Sequence, residues 1–207
     1  MMTKSFDLII YGASSFVGQI LTHYLVEHIG VNKDVRWAIA GRSSSKLQQL
    51  KESLGAVGAD LPMIIADAAD GDALASMCQS TRVVVTTVGP YALYGEPLVK
   101  ACAENGTDYC DLWGEAYWIK KMIVKYAESA RKSGDRLVSC CGFDSIPSDL
   151  GVHFLQQKAK QRFGLFFNDV KLSVNAMKGG ASRGTLASMI EAVKAAMKDS
   201  TLRKDMN

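Results

Sequence analysis

The sequence contains no apolar run long enough to cross a membrane, because no stretch reaches about 18 consecutive apolar residues. It also lacks the apolar core of a targeting peptide near its start, since residues 1–7 lead directly into a strand-like segment. These two absences predict a cytoplasmic protein with no membrane segment in this chain.

The sequence has little excess of either charge. Its 24 basic and 21 acidic residues leave a net charge of +3, and they are mixed along the chain without a basic run or an aromatic-basic stripe. The electrostatic footprint of a nucleic-acid-binding protein is therefore missing, and no nucleic-acid partner is expected. The apolar fraction of 48% is that of an ordinary globular protein.

Residue patterns for metal, redox and nucleophilic chemistry are also absent. His23 and His28 are five apart and His153 stands alone, so the sequence predicts no metal site. The five cysteines form no C-x-x-C pair, and an odd, irregularly spaced set does not make a disulfide framework. Cys140 and Cys141 are expected to pack as reduced thiols in a buried strand. No Gly-x-Ser-x-Gly nucleophile elbow occurs.

Short apolar runs alternate with helical patterns over the first 150 residues or so. Runs of this kind are typical of strands that are buried on both faces of a parallel sheet. The pattern predicts an α/β fold with a Rossmann-type doubly wound parallel sheet. The six predicted strands are residues 8–11, 35–40, 63–66, 83–88, 109–112 and 137–141.

The first strand ends in a glycine-rich turn that leads straight into a helix, as a dinucleotide fingerprint requires. Gly12 permits a tight turn, and Gly18 lets the helix pack closely on the strand. Ser15 replaces the middle glycine, and its hydroxyl offers a hydrogen bond to a phosphate. The alternative is a turn without a ligand. The backbone N–H groups expected to face the pyrophosphate are those of Ala13, Ser14, Ser15, Phe16 and Val17.

The second strand ends in Arg42 and Ser43, where an NAD-selective domain carries an acidic residue. A guanidinium and a hydroxyl suit the 2′-phosphate of NADP(H), so the predicted cofactor is NADP rather than NAD. The alternative is that Arg42 is a solvated loop charge and that Ser43 caps the helix over residues 46–54.

The third and fourth strands end in further candidates for cofactor binding. Asp67 is expected at the adenine end, although capping of the next helix explains it equally well. Val88, Gly89, Pro90 and Tyr91 follow the fourth strand and are expected as a rigid turn beneath the nicotinamide ribose. A plain turn is the alternative reading of these four residues.

No catalytic acid or base can be assigned from the sequence. Asp111, Glu115 and Asp144 lie where the fifth and sixth strands end, and each is a candidate for proton handling or for a helix cap. Tyr117 and Lys121 match the Tyr-x-x-x-Lys pair of short-chain dehydrogenases, but a partner serine is missing upstream. We therefore interpret that match as chance.

The sequence resembles the saccharopine dehydrogenase-like oxidoreductases, especially the branch with the mycobacterial trans-acting enoyl reductases. The resemblance covers roughly residues 6–155. It implies an NADP-binding domain and a following α/β substrate domain, in a chain longer than this one. The segments that carry it are Tyr11-Gly12-Ala13-Ser14-Ser15-Phe16-Val17-Gly18, Ala40-Gly41-Arg42-Ser43, Val88-Gly89-Pro90-Tyr91 with Tyr94-Gly95, Gly106-Thr107-Asp108-Tyr109-Cys110-Asp111, and Cys141-Gly142-Phe143-Asp144-Ser145-Ile146-Pro147-Ser148-Asp149.

Two domains are therefore expected. Residues 1–150 form the NADP-binding Rossmann domain, and residues 151–207 form a linking helix and the incomplete start of a second, α+β substrate domain. The helix is expected to start near Ser148. Residues 169–174 alternate like a half-exposed antiparallel strand, and residues 185–197 carry a helical pattern.

The predicted function is an NADP(H)-dependent oxidoreductase that transfers a hydride to or from a C=N, C=O or conjugated C=C group of a small-molecule substrate. The resemblance leaves a lipid-like substrate open, and a homodimer is also open. The alternative is a non-catalytic sensor or scaffold that binds NADP(H).

Overall fold

The computed structural model describes residues 4–31, 33–112 and 114–176, with isolated positions between residues 178 and 197. Within these residues the strands are β1 (Phe6–Tyr11), β2 (Trp37–Gly41), β3 (Met63–Ile65), β4 (Thr81–Thr86), β5 (Asp108–Asp111) and β6 (Leu137–Val138). The helices are α1 (Phe16–His28), α2 (Ser44–Ser53), α3 (Ala56–Ala59), α4 (Gly71–Ser80), α5 (Tyr91–Asn105), α6 (Ala116–Ser133) and α7 (Ile146–Phe163).

The strands form one parallel sheet in the order β3-β2-β1-β4-β5-β6. The order reverses between β1 and β4, where Tyr11 is in register with Ala40 on one side and with Thr86 on the other. In doubly wound sheets a crevice opens at such a switch point, beyond the carboxyl ends of the strands. The predicted fold class is confirmed.

Alternate strand residues enter two separate cores. Ile9 and Val84 pack with α4, α5 and α6 on one face of the sheet. Ile10 and Ile39 pack with α1 and α2 on the other face. Because successive residues of a strand point to opposite faces, the continuous apolar run of β1 is buried from both sides.

The helix starts agree with the sequence in some places and not in others. Asp70 caps α4, since its carboxylate accepts bonds from the N–H groups of Asp72 and Ala73. The helix expected near Ser148 is present as α7, which begins two residues earlier at Ile146 and has Asp149 in its first turn. Proline fits within the first turn of a helix, where its missing N–H costs no bond, so Pro147 does not delay the start.

The sixth strand is shorter than expected. It ends at Val138, because Cys140 adopts a left-handed φ of 61° and its N–H donates to the Asp111 carboxylate, 3.1 Å away. Cys140 and Cys141 are consequently half-buried loop residues and not part of a buried strand. All five cysteines are free thiols.

The region after α7 differs from expectation. Residues 169–174 form no strand, because a strand needs a neighbour for its backbone bonds and none of the described residues pairs with them. Most of the helical pattern at residues 185–197 lies outside the described residues, and the second domain stays a prediction. None of the described helices combines the length and apolar character needed to cross a membrane.

Candidate dinucleotide-binding site

A groove of about 570 Å³ lies at the carboxyl ends of β1 to β4. Eight of the residues predicted to bind the cofactor line this groove, namely Gly12, Ser14, Ser15, Arg42, Ser43, Asp67, Val88 and Gly89. The groove is also lined by residues that were not predicted to bind the cofactor, namely Tyr11, Gly41, Lys46, Ala68, Ala69, Thr87, Leu93, Tyr94 and Pro97. The groove thus joins the residues predicted at four different strand ends.

The two fingerprint glycines allow the turn, the helix and the neighbouring strand to meet. Gly12 has a φ of +86°, and a Cβ there would lie 2.7 Å from Val88 Cγ2 and 2.8 Å from Thr87 Oγ1. A Cβ on Gly18 would lie 2.3 Å from the Gly12 carbonyl oxygen. These distances are all shorter than a Cβ contact allows, so the predicted packing roles of Gly12 and Gly18 are confirmed.

Ser15 joins the two loops of the switch point. Its hydroxyl accepts a bond from the Gly18 N–H at 3.0 Å and lies 2.8 Å from Thr87 Oγ1. Thr87 donates its single hydroxyl proton to the Gly12 carbonyl at 2.9 Å, so Ser15 is the donor to Thr87. The Ser15 hydroxyl proton is therefore used within the protein, and the expected hydrogen bond to a phosphate has no support.

The backbone N–H groups of the turn are not equally available. Those of Ala13 and Ser15 already donate to Ala40 and Gly12 carbonyls. The N–H groups of Ser14, Phe16 and Val17 donate to no group within the described residues. A free first turn of a helix is a ready anion site, so three of the five predicted donors remain available to a pyrophosphate.

Side chains of the turn divide between groove, core and solvent. Ala13 is fully buried, whereas Phe16 is 69% exposed and, like Val17, lies outside the groove. Gly18 lies beneath the turn. None of these four residues lines the groove with a side chain.

The wall formed by β2 and α2 carries positive charge. Arg42 is exposed and donates no hydrogen bond to any described residue. Ser43 caps α2 by accepting from the Lys46 N–H at 3.4 Å. Lys46 lies in the first turn of α2, the end of a helix that disfavours a cation. Because Lys46 lies beside Arg42 and Ser43, this wall is suited to an anion. Lys46 comes three residues after the helix cap Ser43, and this position in the sequence could have identified it as a groove residue.

Asp67 faces the groove from the end of β3. Its carboxylate accepts a bond from the Ala69 N–H at 2.9 Å, while Asp70 caps α4. The expectation that Asp67 could cap the helix is therefore wrong. Burial, together with the negative charge of Asp67, raises the pKa of Tyr11 to about 12, although Arg42 acts in the opposite direction. Tyr11 is a neutral phenol in the wall of the groove.

The turn after β4 contributes two of its four predicted residues. Val88 and Gly89 line the groove, and the Gly89–Pro90 peptide bond is cis. Pro90 and Tyr91 do not line it; the Tyr91 hydroxyl donates to the Thr86 carbonyl at 2.9 Å, and burial raises the pKa of Tyr91 well above its usual value. These two residues have a packing role.

Three residues of α5 that follow this turn reach the groove instead. Pro97 lies four positions after Leu93 and three after Tyr94, so it shares one face of the helix with both. The helical spacing of these residues after the turn at Gly89 and Pro90 could have identified them from the sequence.

The three acids proposed for proton handling have different surroundings. Asp111 is fully buried and accepts bonds from Tyr109 Oη at 2.7 Å and from the Cys140 N–H, so it ties β5 to the loop after β6. Burial raises the pKa of Tyr109 well above its usual value. Asp144 is exposed. Glu115 differs from both, since its Oε2 atom is buried without a hydrogen-bond partner among the described residues.

Tyr117 and Lys121 lie on α6 and do not line the groove. The Tyr-x-x-x-Lys match is therefore outside the candidate site, as the chance interpretation expects.

Solved structures with this fold agree with the topology. Apo saccharopine dehydrogenase (L-Glu forming) from Saccharomyces cerevisiae superposes with a TM-score of 0.56 at 20% identity, over 72% of this chain and 32% of that chain. Pen from Bacillus thuringiensis gives a TM-score of 0.53 at 13% identity, over 67% of this chain and 51% of that chain. At these identities the likeness concerns the fold alone.

Sequence relatives are much closer. A Mycobacterium tuberculosis relative is 42% identical over 204 residues, which are 99% of this chain and 48% of that protein. The trans-acting enoyl reductase of the same organism is 40% identical over 97% of this chain and 48% of its own length. That of Mycobacterium ulcerans is 38% identical over 95% and 46%. The chain spans about half the length of the curated relatives that it matches.

The family model described as the saccharopine dehydrogenase NADP-binding domain matches residues 8–138, which include both switch-point loops and Arg42. The predicted cofactor is confirmed at the level of the family, as is the predicted resemblance. The chain belongs to the saccharopine dehydrogenase family and carries its NADP-binding domain.

Proposed function

We propose that this protein is an NADP(H)-dependent oxidoreductase that holds the dinucleotide along the groove at the switch point. The observation that carries the proposal is the combination, in one groove, of a glycine turn that no side chain can occupy and a wall of Arg42, Ser43 and Lys46. The first feature suits a pyrophosphate and the second a phosphate monoester.

The residues fit the parts of the cofactor in order. Arg42, Ser43 and Lys46 would hold the 2′-phosphate, and the free N–H groups at the start of α1 would hold the pyrophosphate. Ala68 and Leu93 offer an apolar surface beside Asp67 for the adenine. The nicotinamide half would extend past Gly89, toward the ends of β4 and β5.

Bound NADPH supplies a hydride for a C=N, C=O or conjugated C=C group. The protein contributes chiefly by fixing the position of the reacting groups, because the Ser15–Thr87 bond holds the two loops of the groove together. The relatives named trans-acting enoyl reductases favour a small-molecule substrate with a conjugated C=C group, and we extend this to a lipid-like acyl chain. The same names give no support to a sensor or scaffold.

We also propose a cytoplasmic location, which the free state of all five cysteines supports because thiols stay reduced there. A homodimer is part of the same proposal. Apolar side chains exposed along α1, among them Phe16 and Ile20, are surface that such an assembly could bury.

The test is calorimetric titration with NADPH and NADH. Wild type is expected to bind NADPH more tightly, and Arg42→Ala is expected to weaken NADPH binding about 10- to 100-fold while leaving NADH binding within about twofold. Arg82→Ala is the control, since Arg82 lies on β4 in an exposed pair with Asp7 and outside the groove. Equal loss of both cofactors in Arg42→Ala would contradict the phosphate role.

A further inference from the structure

Tyr11 is the last residue of β1 and lies in the wall of the groove. Its ring belongs to the core on the α4, α5 and α6 side of the sheet, and the residue as a whole is 2% exposed. Its hydroxyl group makes no hydrogen bond with any residue that the structure describes. A buried tyrosine normally has a partner for this group, so Tyr11 holds a polar group that the fold itself does not use.

The phenol oxygen of Tyr11 opens into the groove. Among the described residues, the fully buried side-chain oxygens without a partner are Glu115 Oε2 and Asp135 Oδ2, so the unpaired Tyr11 oxygen is not enclosed. The charged side chains that act on this phenol are Asp67 and Arg42, and both line the groove. The ring of Tyr11 is therefore buried, while its hydroxyl group is open to a ligand in the groove.

Asp67 supplies an acceptor at the same end of the groove. Tyr11 is in register with Ala40 of β2, and Ala40 with Ile64 of β3, so two strand spacings of about 10 Å separate Tyr11 from the strand that leads to Asp67. Asp67 Oδ1 accepts the Ala69 N–H at 2.9 Å. Asp67 Oδ2 accepts no bond from the described residues and is available to a ligand.

The two side chains offer opposite hydrogen-bonding groups. Burial, together with the negative charge of Asp67, raises the pKa of Tyr11 to about 12, so the hydroxyl group keeps its proton at neutral pH and can donate it. A carboxylate can only accept. One donor and one acceptor thus lie beside the apolar surface of Ala68 and Leu93, where a flat ring can rest.

We propose that Tyr11 and Asp67 select the base of the dinucleotide by reading the edge of its adenine ring. The Tyr11 hydroxyl donates to a ring nitrogen, and the Asp67 carboxylate accepts from the 6-amino group. The inference rests on the proposed function and adds to it the choice of base. It makes Tyr11 a specificity-determining residue, for which the sequence alone offered no role.

The chemistry of the purine edge explains the selection. Adenine carries its 6-amino donor between two ring acceptors, N1 and N7, so either edge offers a donor next to an acceptor. A purine with oxygen at position 6 offers an acceptor there, which the Asp67 carboxylate repels. On the N1 side such a purine also carries a ring N–H, which opposes the Tyr11 proton. Either edge of a 6-oxopurine therefore fails to match the pair.

The experiment is calorimetric titration of the whole chain with NADPH and with reduced nicotinamide hypoxanthine dinucleotide phosphate, its 6-oxopurine analogue. Both molecules have the same phosphates, riboses and nicotinamide, so a difference in affinity reports the purine alone. Wild type is expected to bind NADPH about 10-fold or more tightly than the analogue, because the analogue sets an oxygen against the carboxylate.

Tyr11→Phe keeps the buried ring and removes the hydroxyl group. It is expected to weaken NADPH binding about three- to tenfold, as the loss of one hydrogen bond would, and to leave binding of the analogue within about twofold. Tyr24→Phe is the matched control, because Tyr24 is an exposed tyrosine of α1 outside the groove. It should leave both affinities unchanged.

Asp67→Asn gives a second, independent readout, which also decides the matter if Tyr11→Phe does not fold. The Ala69 N–H would hold the amide oxygen in the place of Oδ1, so the amide NH₂ group would face the base. An NH₂ group donates to a 6-oxo group and opposes a 6-amino group. This variant is therefore expected to bind the analogue at least as tightly as NADPH.

Equal affinity of wild type for NADPH and the analogue would overturn the selection by both residues. Equal loss of the two ligands in Tyr11→Phe would overturn the Tyr11 contact, since it would place the hydroxyl group on a ribose or phosphate. A preference for NADPH that persists in Asp67→Asn would overturn the pairing with the 6-amino group. Failure of wild type to bind either ligand would contradict the proposed function, whereas binding without a choice of base overturns this inference alone.

Discussion

The two halves of the sheet are covered differently. In β1 and β2, residues that point to opposite faces, such as Ile9 and Ile10, are both fully buried. In β4, Val84 is fully buried, but its neighbours Val83 and Val85 on the other face are half-exposed. The two edges of the sheet do not differ, since Ile65 of β3 is 49% exposed and Val138 of β6 is 47% exposed. The inner strands β1 and β2 beside the Arg42 wall are thus enclosed by helices on both faces, whereas β4 is enclosed on one face.

This difference in burial separates the strands that carry most of the groove from the strand ends on the other half of the sheet. The turn at Gly12, the cap at Ser15 and the wall at Arg42 all belong to the enclosed half or to its border with β4. The strand ends near Glu115 belong to the other half. We therefore expect cofactor binding to depend chiefly on the residues that line the groove, and changes in the two halves to have effects of different size.

The largest expected effect is in the enclosed half. Gly12→Val should lower NADPH affinity by at least about 100-fold, because the new side chain would meet Val88 and Thr87 and would also disfavour the positive φ. Calorimetry measures the affinity, and circular dichroism checks that the domain stays folded. Gly71→Ala is the matched control, since a Cβ there meets nothing within 4 Å. Unchanged affinity in Gly12→Val would remove the fingerprint assignment.

A smaller effect is expected on the free energy of unfolding, and it should differ between the two faces of β4. Val84→Ala should lower the free energy of unfolding by about 2 kcal/mol, because it deletes fully buried methyl groups from a packed core. Val85→Ala, one residue along the same strand on the open face, should cost less than about 1 kcal/mol. Urea denaturation gives both values. Equal losses would mean that the open face is covered in solution.

The smallest expected effect concerns the contribution of Lys46 to the Arg42 wall. Lys46→Ala should weaken NADPH binding about three- to fivefold, less than Arg42→Ala, because a flexible exposed ammonium group contributes about 1 kcal/mol or less. Lys51→Ala, in the last turn of the same helix, should leave it unchanged. An equal effect of both variants on NADPH affinity would point to a general charge effect and not to a phosphate contact.

Features with a local cause could be predicted from the sequence. The parallel strands appear as apolar runs, and the positions of Gly12 and Gly18 follow from the turn between a strand and a helix. Arg42 and Ser43 were found because they follow directly after a strand. In each case the physical reason lies within a few residues of the chain.

Features that depend on contacts between distant segments could not be predicted. The hydroxyl of Ser15 is used by Thr87, which is 72 residues away. The sixth strand ends early because the Asp111 carboxylate binds the Cys140 N–H.

The central claim is that the groove at the switch point binds NADP(H), and a crystal structure of the chain with NADP⁺ tests it most directly. We predict the 2′-phosphate within hydrogen-bond distance of Arg42, Ser43 and Lys46, and the pyrophosphate at the free N–H groups before and within the first turn of α1. Density for the cofactor elsewhere, or a 2′-phosphate that makes no contact with Arg42, would contradict the account.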